Sequence, residues 1–193
     1  MPMIDDYETP RLQRPIGPDD HITGPDDAPA TLVEYGDYEC PFCGQAHQII
    51  KQIMEDVGSD LRFVFRNFPL TQSHPRALQA ALAAEAAGAQ GKFWEMHDML
   101  YENQPDLNIE DLLRYADQLG LDRERFAKDV EESRYMKKIR NDFHSGVRSG
   151  VNGTPSFFIN GYRNEGAWDY ESLTAAIQEA MKTSVASRKR KAA

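Results

Sequence analysis

Cysteine is scarce in this sequence, with two residues among 193. A secreted domain stapled by disulfides carries more cysteines, spread along the chain, so that class is excluded. Long apolar runs are missing as well. None approaches the roughly 18–20 residues that cross a bilayer, so no membrane association is expected. Met1 to Asp20 is rich in proline and charge and has no apolar segment of the kind a secretory signal needs. The expected location is therefore cytoplasmic, or periplasmic if a signal has been removed. Basic residues are outnumbered, 22 Lys and Arg against 31 Asp and Glu, for a net charge of -9. Such a chain repels phosphate rather than releasing its counterions, so nucleic acid is not an expected partner. There are no internal repeats. What remains is a globular composition, 40% hydrophobic and 27% charged, with length for one domain or one domain carrying an insertion.

The two cysteines, Cys40 and Cys43, are three positions apart. A bridge between them closes so small a loop that it adds little stability. Reactivity explains the pair better than architecture does. Their setting agrees. Thr31 to Gly36 is a β-prone run. A helix is predicted to start near Cys40, with Pro41 at a first-turn position where its missing N–H costs nothing. Ile49, Ile50, Ile53, Met54 and Val57 give that helix a buried face, and Gly58 ends it. Leu61 to Phe65 is a second strand, and strand–helix–strand at this spacing makes the two strands parallel.

Residues 74 to 150 change character. Ala77 to Ala87 is strongly helix-forming. A second helix carries Phe93, Trp94 and Tyr101, a third is capped by Asn108, a fourth opens at Asp122, and a last one covers about 133 to 148. The aromatic stripe around Phe93, Trp94 and Tyr101 reads as core, with a substrate groove as the alternative. The β pattern returns at Pro155 to Ile159. Asn160-Gly161 then signals a hairpin into Tyr162 to Glu165, and a final helix runs to about Lys182. The expected organisation is an N-terminal arm at 1–28, one α/β domain made of 29–73 and 151–182, an inserted all-helical domain at 74–150, and a flexible basic tail at 183–193. The sheet is predicted to be mixed.

A Cys-x-x-Cys at a helix start after a strand puts both sulfurs on one side of the first turn. Cys40 faces unpaired backbone N–H groups and the positive end of the helix dipole, which favour its thiolate. Cys43, one turn inside, is expected to be the buried resolving thiol. A zinc site drawing on Cys40, Cys43 and His47 is the competing reading, but no second cysteine pair exists to complete it. His47 reads as a surface or packing residue of the first helix. Along the first strand, Leu32, Glu34 and Gly36 share one face and Val33 and Tyr35 the other. Both faces are expected to be covered, which would bury Glu34 and raise its pKa; a strand-end carboxylate reaching solvent is the alternative.

Tyr35-Gly-Asp-Tyr-Glu-Cys-Pro-Phe-Cys43 and Gly153-Thr-Pro-Ser-Phe-Phe-Ile-Asn-Gly161, in this order around a helical insertion, resemble the DsbA-like family of thioredoxin-fold proteins, in its thioredoxin_4 branch. The resemblance covers about residues 20 to 182. It implies a thioredoxin-like α/β fold and a thiol–disulfide oxidoreductase without cofactor or metal. Cys40 then matches the nucleophile, Cys43 the resolving cysteine, and Glu34 the acid behind them. Pro41 and Phe42 match the dipeptide that tunes redox potential. Pro155 matches a cis-proline facing the disulfide, and Thr154 the residue beside it. The implied partners are protein or peptide disulfides and thiols, glutathione among the small ones, together with a redox partner the sequence does not identify. Phe42 stands where a histidine is common, which implies a weaker oxidant than the extreme members. Two alternatives stay open: a glutathione-transferase or isomerase-like enzyme of the same fold, and a non-enzymatic, redox-sensitive binding module.

Overall fold

The computed structural model describes residues 10–191, and the side chains among them up to 186. Five strands form one sheet in the order β1-β3-β2-β4-β5. They are β1 (His21–Thr23), β2 (Ala30–Gly36), β3 (Leu61–Asn67), β4 (Ser156–Ile159) and β5 (Tyr162–Arg163). β2 and β3 are parallel and every other pair is antiparallel, so the sheet is mixed as expected. The first helix, α1 (Pro41–Val57), connects β2 to β3 through a 3-10 turn at Gly58–Asp60. Gly58 closes α1 with a positive φ of 60°, a conformation glycine adopts without a Cβ penalty.

Between β3 and β4 the described chain is helical: α2 (Ala77–Gly88), α3 (Phe93–Glu102), α4 (Ile109–Gln118), α5 (Arg123–Glu131) and α6 (Met136–Arg148). Asn108 caps α4 by accepting from the Asp111 N–H, and Asp122 caps α5 by accepting from the Arg125 N–H. α6 starts at Met136 rather than near 133, because Ser133 has a φ of 50° and breaks the helical path. The last helix, α7 (Tyr170–Lys191), opens with Asp169 accepting from the Ser172 N–H at 3.0 Å.

β2 is buried along its whole length. On one face Leu32 packs with Phe63, Phe65 and Phe157 of the sheet, Ile50 and Ile53 of α1, and Leu173 and Ile177 of α7. On the other, Val33 and Tyr35 pack with Val64, Phe158 and Phe68, covered by Phe143 of α6 and by Leu12 and Ile16. The alternation read from the sequence therefore holds, and it places Glu34 inside the first layer.

Two features differ from expectation. His21–Thr23, expected within an arm, is a sheet strand paired with Phe63, Val64 and Phe65. The segment before it is held by Arg66, which is fully buried. Arg66 donates to both carboxylate oxygens of Asp20 at 2.8 Å, to the carbonyls of Arg14 and Pro15 at 3.1 Å, and to the Tyr35 hydroxyl at 2.9 Å. The final helix also continues past Lys182 to Lys191, since nothing from Tyr170 to Lys191 is a glycine or proline that would stop it. Residues 1–9 of the expected arm and 192–193 of the expected tail lie outside the described residues.

Candidate active site

Cys40 is the N-cap of α1, with an extended backbone at φ -72° and ψ 120°, and Pro41 follows at the first helical position. The first turn of α1 contains no acidic residue to compete with Cys40 for its N–H groups. Both cysteines are reduced and buried. The Cys40 Sγ lies 3.4 Å from the carbonyl oxygen of Thr154, across the cleft on the loop before β4. The Thr154–Pro155 peptide bond is cis. The structure thus brings the Cys40–Cys43 pair to the Thr154–Pro155 pair, more than 110 positions further along the chain.

The two thiols are driven apart electrostatically. The hydrogen bond from Cys43 is the largest influence on Cys40. With the Thr154 side chain and the N–H groups of Cys43 and Phe42 it outweighs burial and lowers the Cys40 pKa from 9.0 to about 5. Burial does the opposite at Cys43, whose pKa lies well above 9.0, reinforced by its bond to Cys40 and by the negative charges of Glu34 and Cys40. Two identical side chains thereby become a thiolate and a thiol at neutral pH.

Glu34 sits beneath them, 1% exposed. Its Oε1 makes no hydrogen bond. Burial, with the Cys40 thiolate adding to it, raises its pKa from 4.5 to about 8. The hydroxyl of Tyr101 shares this space and is likewise buried and unbonded. The space exists because residue 36 is glycine: a Cβ there would stand 2.8 Å from the Tyr101 hydroxyl and 3.0 Å from Glu34 Oε1. Phe42 is 56% exposed, so the dipeptide between the cysteines faces outward with an apolar ring.

Several positioning residues carry no local sequence signal. Gln104 donates from Nε2 to the carbonyls of both Tyr38 and Cys40 at 2.8 Å, fixing the entry into α1. Buried Asp37 accepts from the N–H groups of Glu39 and Leu70 and bonds His74 Nδ1, each at 2.8 Å, tying the loop before Cys40 to the loop after β3. Burial alone would lower the His74 pKa, but the Asp37 bond and the nearby charges of Asp37 and Cys40 raise it. His47 is buried rather than at the surface, stacked on Tyr101 at 5.1 Å between ring centroids. The aromatic stripe of α3 is largely core: Phe93 and Tyr101 are buried, and His97 lies among Phe65, Tyr38 and Trp94.

The family model described as thioredoxin, thioredoxin_4, matches residues 17–179. The chain belongs to this family. Its fold is that of DsbA-like thiol–disulfide oxidoreductases. It is similar to oxidised BdbD from Bacillus subtilis with a TM-score of 0.78 and 25% identity, over 90% of this chain and 96% of that one. A thioredoxin-like oxidoreductase from Silicibacter pomeroyi DSS-3 superposes at 0.76 with 30% identity, over 86% and 94%. Among curated proteins, the Na(+)/H(+) antiporter NhaA 1 of Salinispora arenicola is 48% identical over 170 residues. That match takes 88% of this chain but 26% of the antiporter, so the chain spans about a quarter of the length of such relatives. No helix among the described residues is long and apolar enough to cross a membrane.

Proposed function

We propose that the protein exchanges disulfides with protein or small-molecule thiols through Cys40 and Cys43. The observation that carries this reading is the placement of Cys40 at the N-cap of α1, 3.4 Å from the Thr154 carbonyl beside the cis Thr154–Pro155 bond, a setting that lowers the pKa of one sulfur to about 5 and raises its neighbour well above 9.0. The Cys40 thiolate attacks one sulfur of a substrate disulfide. A Cys40–substrate disulfide forms, and the second substrate sulfur leaves as a thiolate. Cys43 then gives its proton to Glu34 and attacks the Cys40 sulfur. The substrate leaves reduced, and the protein keeps a Cys40–Cys43 disulfide. In the reverse direction the same pair donates its disulfide. Which direction runs follows from the potential of the compartment and of the redox partner.

Glu34 is timed for its role. While Cys40 is a thiolate, its charge helps to keep Glu34 protonated. Once Cys40 is tied up in the mixed disulfide that charge is gone, and Glu34 can pass its proton to the departing substrate thiolate and, once ionised, accept the proton of Cys43. Thr154 and Pro155 stand opposite the nucleophile, where the substrate backbone would lie, and Phe42 offers an exposed apolar contact beside it.

The test is reduction of insulin or a model peptide disulfide by the wild type, Cys40→Ser and Cys43→Ser, with mass analysis of trapped species. Turnover should vanish in Cys40→Ser, and Cys43→Ser should accumulate mixed disulfide. A wild type without exchange activity leaves a redox-sensitive binding module as the reading. Activity that survives in Cys43→Ser points to the isomerase or glutathione-transferase type.

A second reading concerns the partner. Because the relatives carry a matching segment within sodium–proton antiporters, we propose that this chain works beside a transporter of that class. Antiport by such a transporter in vesicles should change with the redox state of the added protein. Transport that is indifferent to it removes this reading.

A further inference from the structure

One turn beyond Cys43, α1 carries His47. The residue is 4% exposed, and its Nε2 is buried without a hydrogen-bond partner. α3 brings His97 and Asp98 against it. The two imidazole centroids are 5.3 Å apart, and His47 Nε2 lies 3.7 Å from Asp98 Oδ1. One ring nitrogen of each histidine and a carboxylate oxygen of Asp98 all fall within 4.8 Å of one another. His97 Nδ1 is engaged by the Tyr38 hydroxyl at 3.0 Å. That leaves its Nε2 for a ligand and orients the ring through an outer partner, as metal-bound histidines usually are. The three residues line a cleft of about 220 Å³.

We propose that His47, His97 and Asp98 bind one divalent transition-metal ion of the zinc class. The proposal is independent of the exchange chemistry of the cysteines. Two imidazoles and one carboxylate are a zinc donor set that leaves a position for water. Ligand nitrogen and oxygen atoms at about 2.0–2.2 Å from zinc are themselves roughly 3.5 Å apart in a tetrahedral site. The spacing of His47 and Asp98 is already close to that. The Asp98 side chain is 42% exposed.

Lys51 is the built-in competitor. Its Nζ is 3.3 Å from Asp98 Oδ2 and 3.0 Å from Glu102 Oε1. It holds the carboxylate oxygen turned away from His47, and Glu102 retains it when the ion arrives. An ion here would tie α1 to α3 next to the turn that carries Cys43.

The experiment titrates Co²⁺, followed by its visible absorption, and Zn²⁺, followed by calorimetry, into the oxidised protein and into Cys40→Ser/Cys43→Ser. Neither form offers a cysteine thiolate. One ion per chain is expected, without sulfur charge-transfer bands. His47→Gln and Asp98→Asn should each weaken binding at least tenfold, and Lys51→Ala should tighten it several-fold. Asp98 and Lys51 are partly exposed, so those two variants read the site even if His47→Gln perturbs folding. Lack of saturable one-to-one binding overturns the proposal, as does an affinity unmoved by Asp98→Asn. Binding seen only with free cysteines assigns the ion to Cys40 and Cys43 and overturns it too. Insulin reduction by the metal-free protein reports on the thiol chemistry alone, so the two readings fail separately.

Discussion

Thr154 meets Cys40 with two different groups. Its carbonyl oxygen stands 3.4 Å from the sulfur and accepts from the thiol. Its hydroxyl is buried and makes no hydrogen bond, yet the side chain helps to lower the Cys40 pKa. Thr154→Val keeps the shape and the carbonyl but removes the hydroxyl. The Cys40 pKa should rise above about 5, read from thiolate absorbance against pH. Stability should hold or increase by up to about 1 kcal/mol, because a buried unbonded hydroxyl is lost. An unmoved titration curve would show that the hydroxyl does not reach the sulfur.

Glu34 makes the fold sensitive to alkali. The unfolded chain releases this proton near 4.5, whereas the folded protein keeps it to about 8. Between those values the native state holds the extra proton, so stability falls as pH rises. At about 1.4 kcal/mol per pH unit the loss by pH 8 is several kcal/mol in order of magnitude. Glu34→Gln should flatten that slope in denaturant unfolding of the oxidised protein at pH 5 and 8.5. It should also slow the release of mixed disulfides by roughly 10²- to 10⁴-fold, as loss of a proton acceptor does. Equal slopes in the two proteins contradict the assignment.

The rate of attack on a disulfide should follow the Cys40 thiolate. It is expected to be nearly flat above pH 6 and to fall through about 5. A value near 5 lies between the ~7 of thioredoxin and the ~3.5 of DsbA. Phe42→His adds a cation at an exposed position. It should lower the Cys40 pKa further and make the protein a stronger oxidant in equilibrium with glutathione. If neither quantity moves, residue 42 does not tune the sulfur.

Arg66 is the structural anchor of the N-terminal segment. Burial alone would raise the Asp20 pKa, but its bonds and charge interaction with Arg66, helped by the Gly17 N–H and Arg14, lower it below 3.8. This pairing therefore contributes stability above that pH and loses it as pH falls below. Arg66→Leu leaves the buried Asp20 carboxylate with only Arg14 and the Gly17 N–H and should cost about 3–5 kcal/mol in urea unfolding at pH 7. A loss under about 1 kcal/mol would mean that water replaces the guanidinium.

Much of this could be read from the chain, and for a local reason. Strand alternation set the face of Glu34, proline and a cysteine pair marked the start of α1, and Asn160-Gly161 marked the hairpin. Asn108 and Asp122 announced their helices by side-chain capping. What escaped depends on distant contacts. β1 has three residues and becomes a strand only because β3 offers it an edge. Gln104 reaches Cys40 across 64 positions, and His74 reaches Asp37 across 37. Nothing around His47 foretold that α3 would set His97 and Asp98 beside it. Such residues have ordinary neighbours in sequence and acquire their roles when helices pack.

Gln104 grips the start of α1 by two carbonyl oxygens, groups that every amino acid possesses. The scaffold under the nucleophile is therefore indifferent to which side chains occupy positions 41 and 42. Substitutions at 41 and 42 should therefore shift the redox equilibrium with glutathione while the sulfur stays where it is.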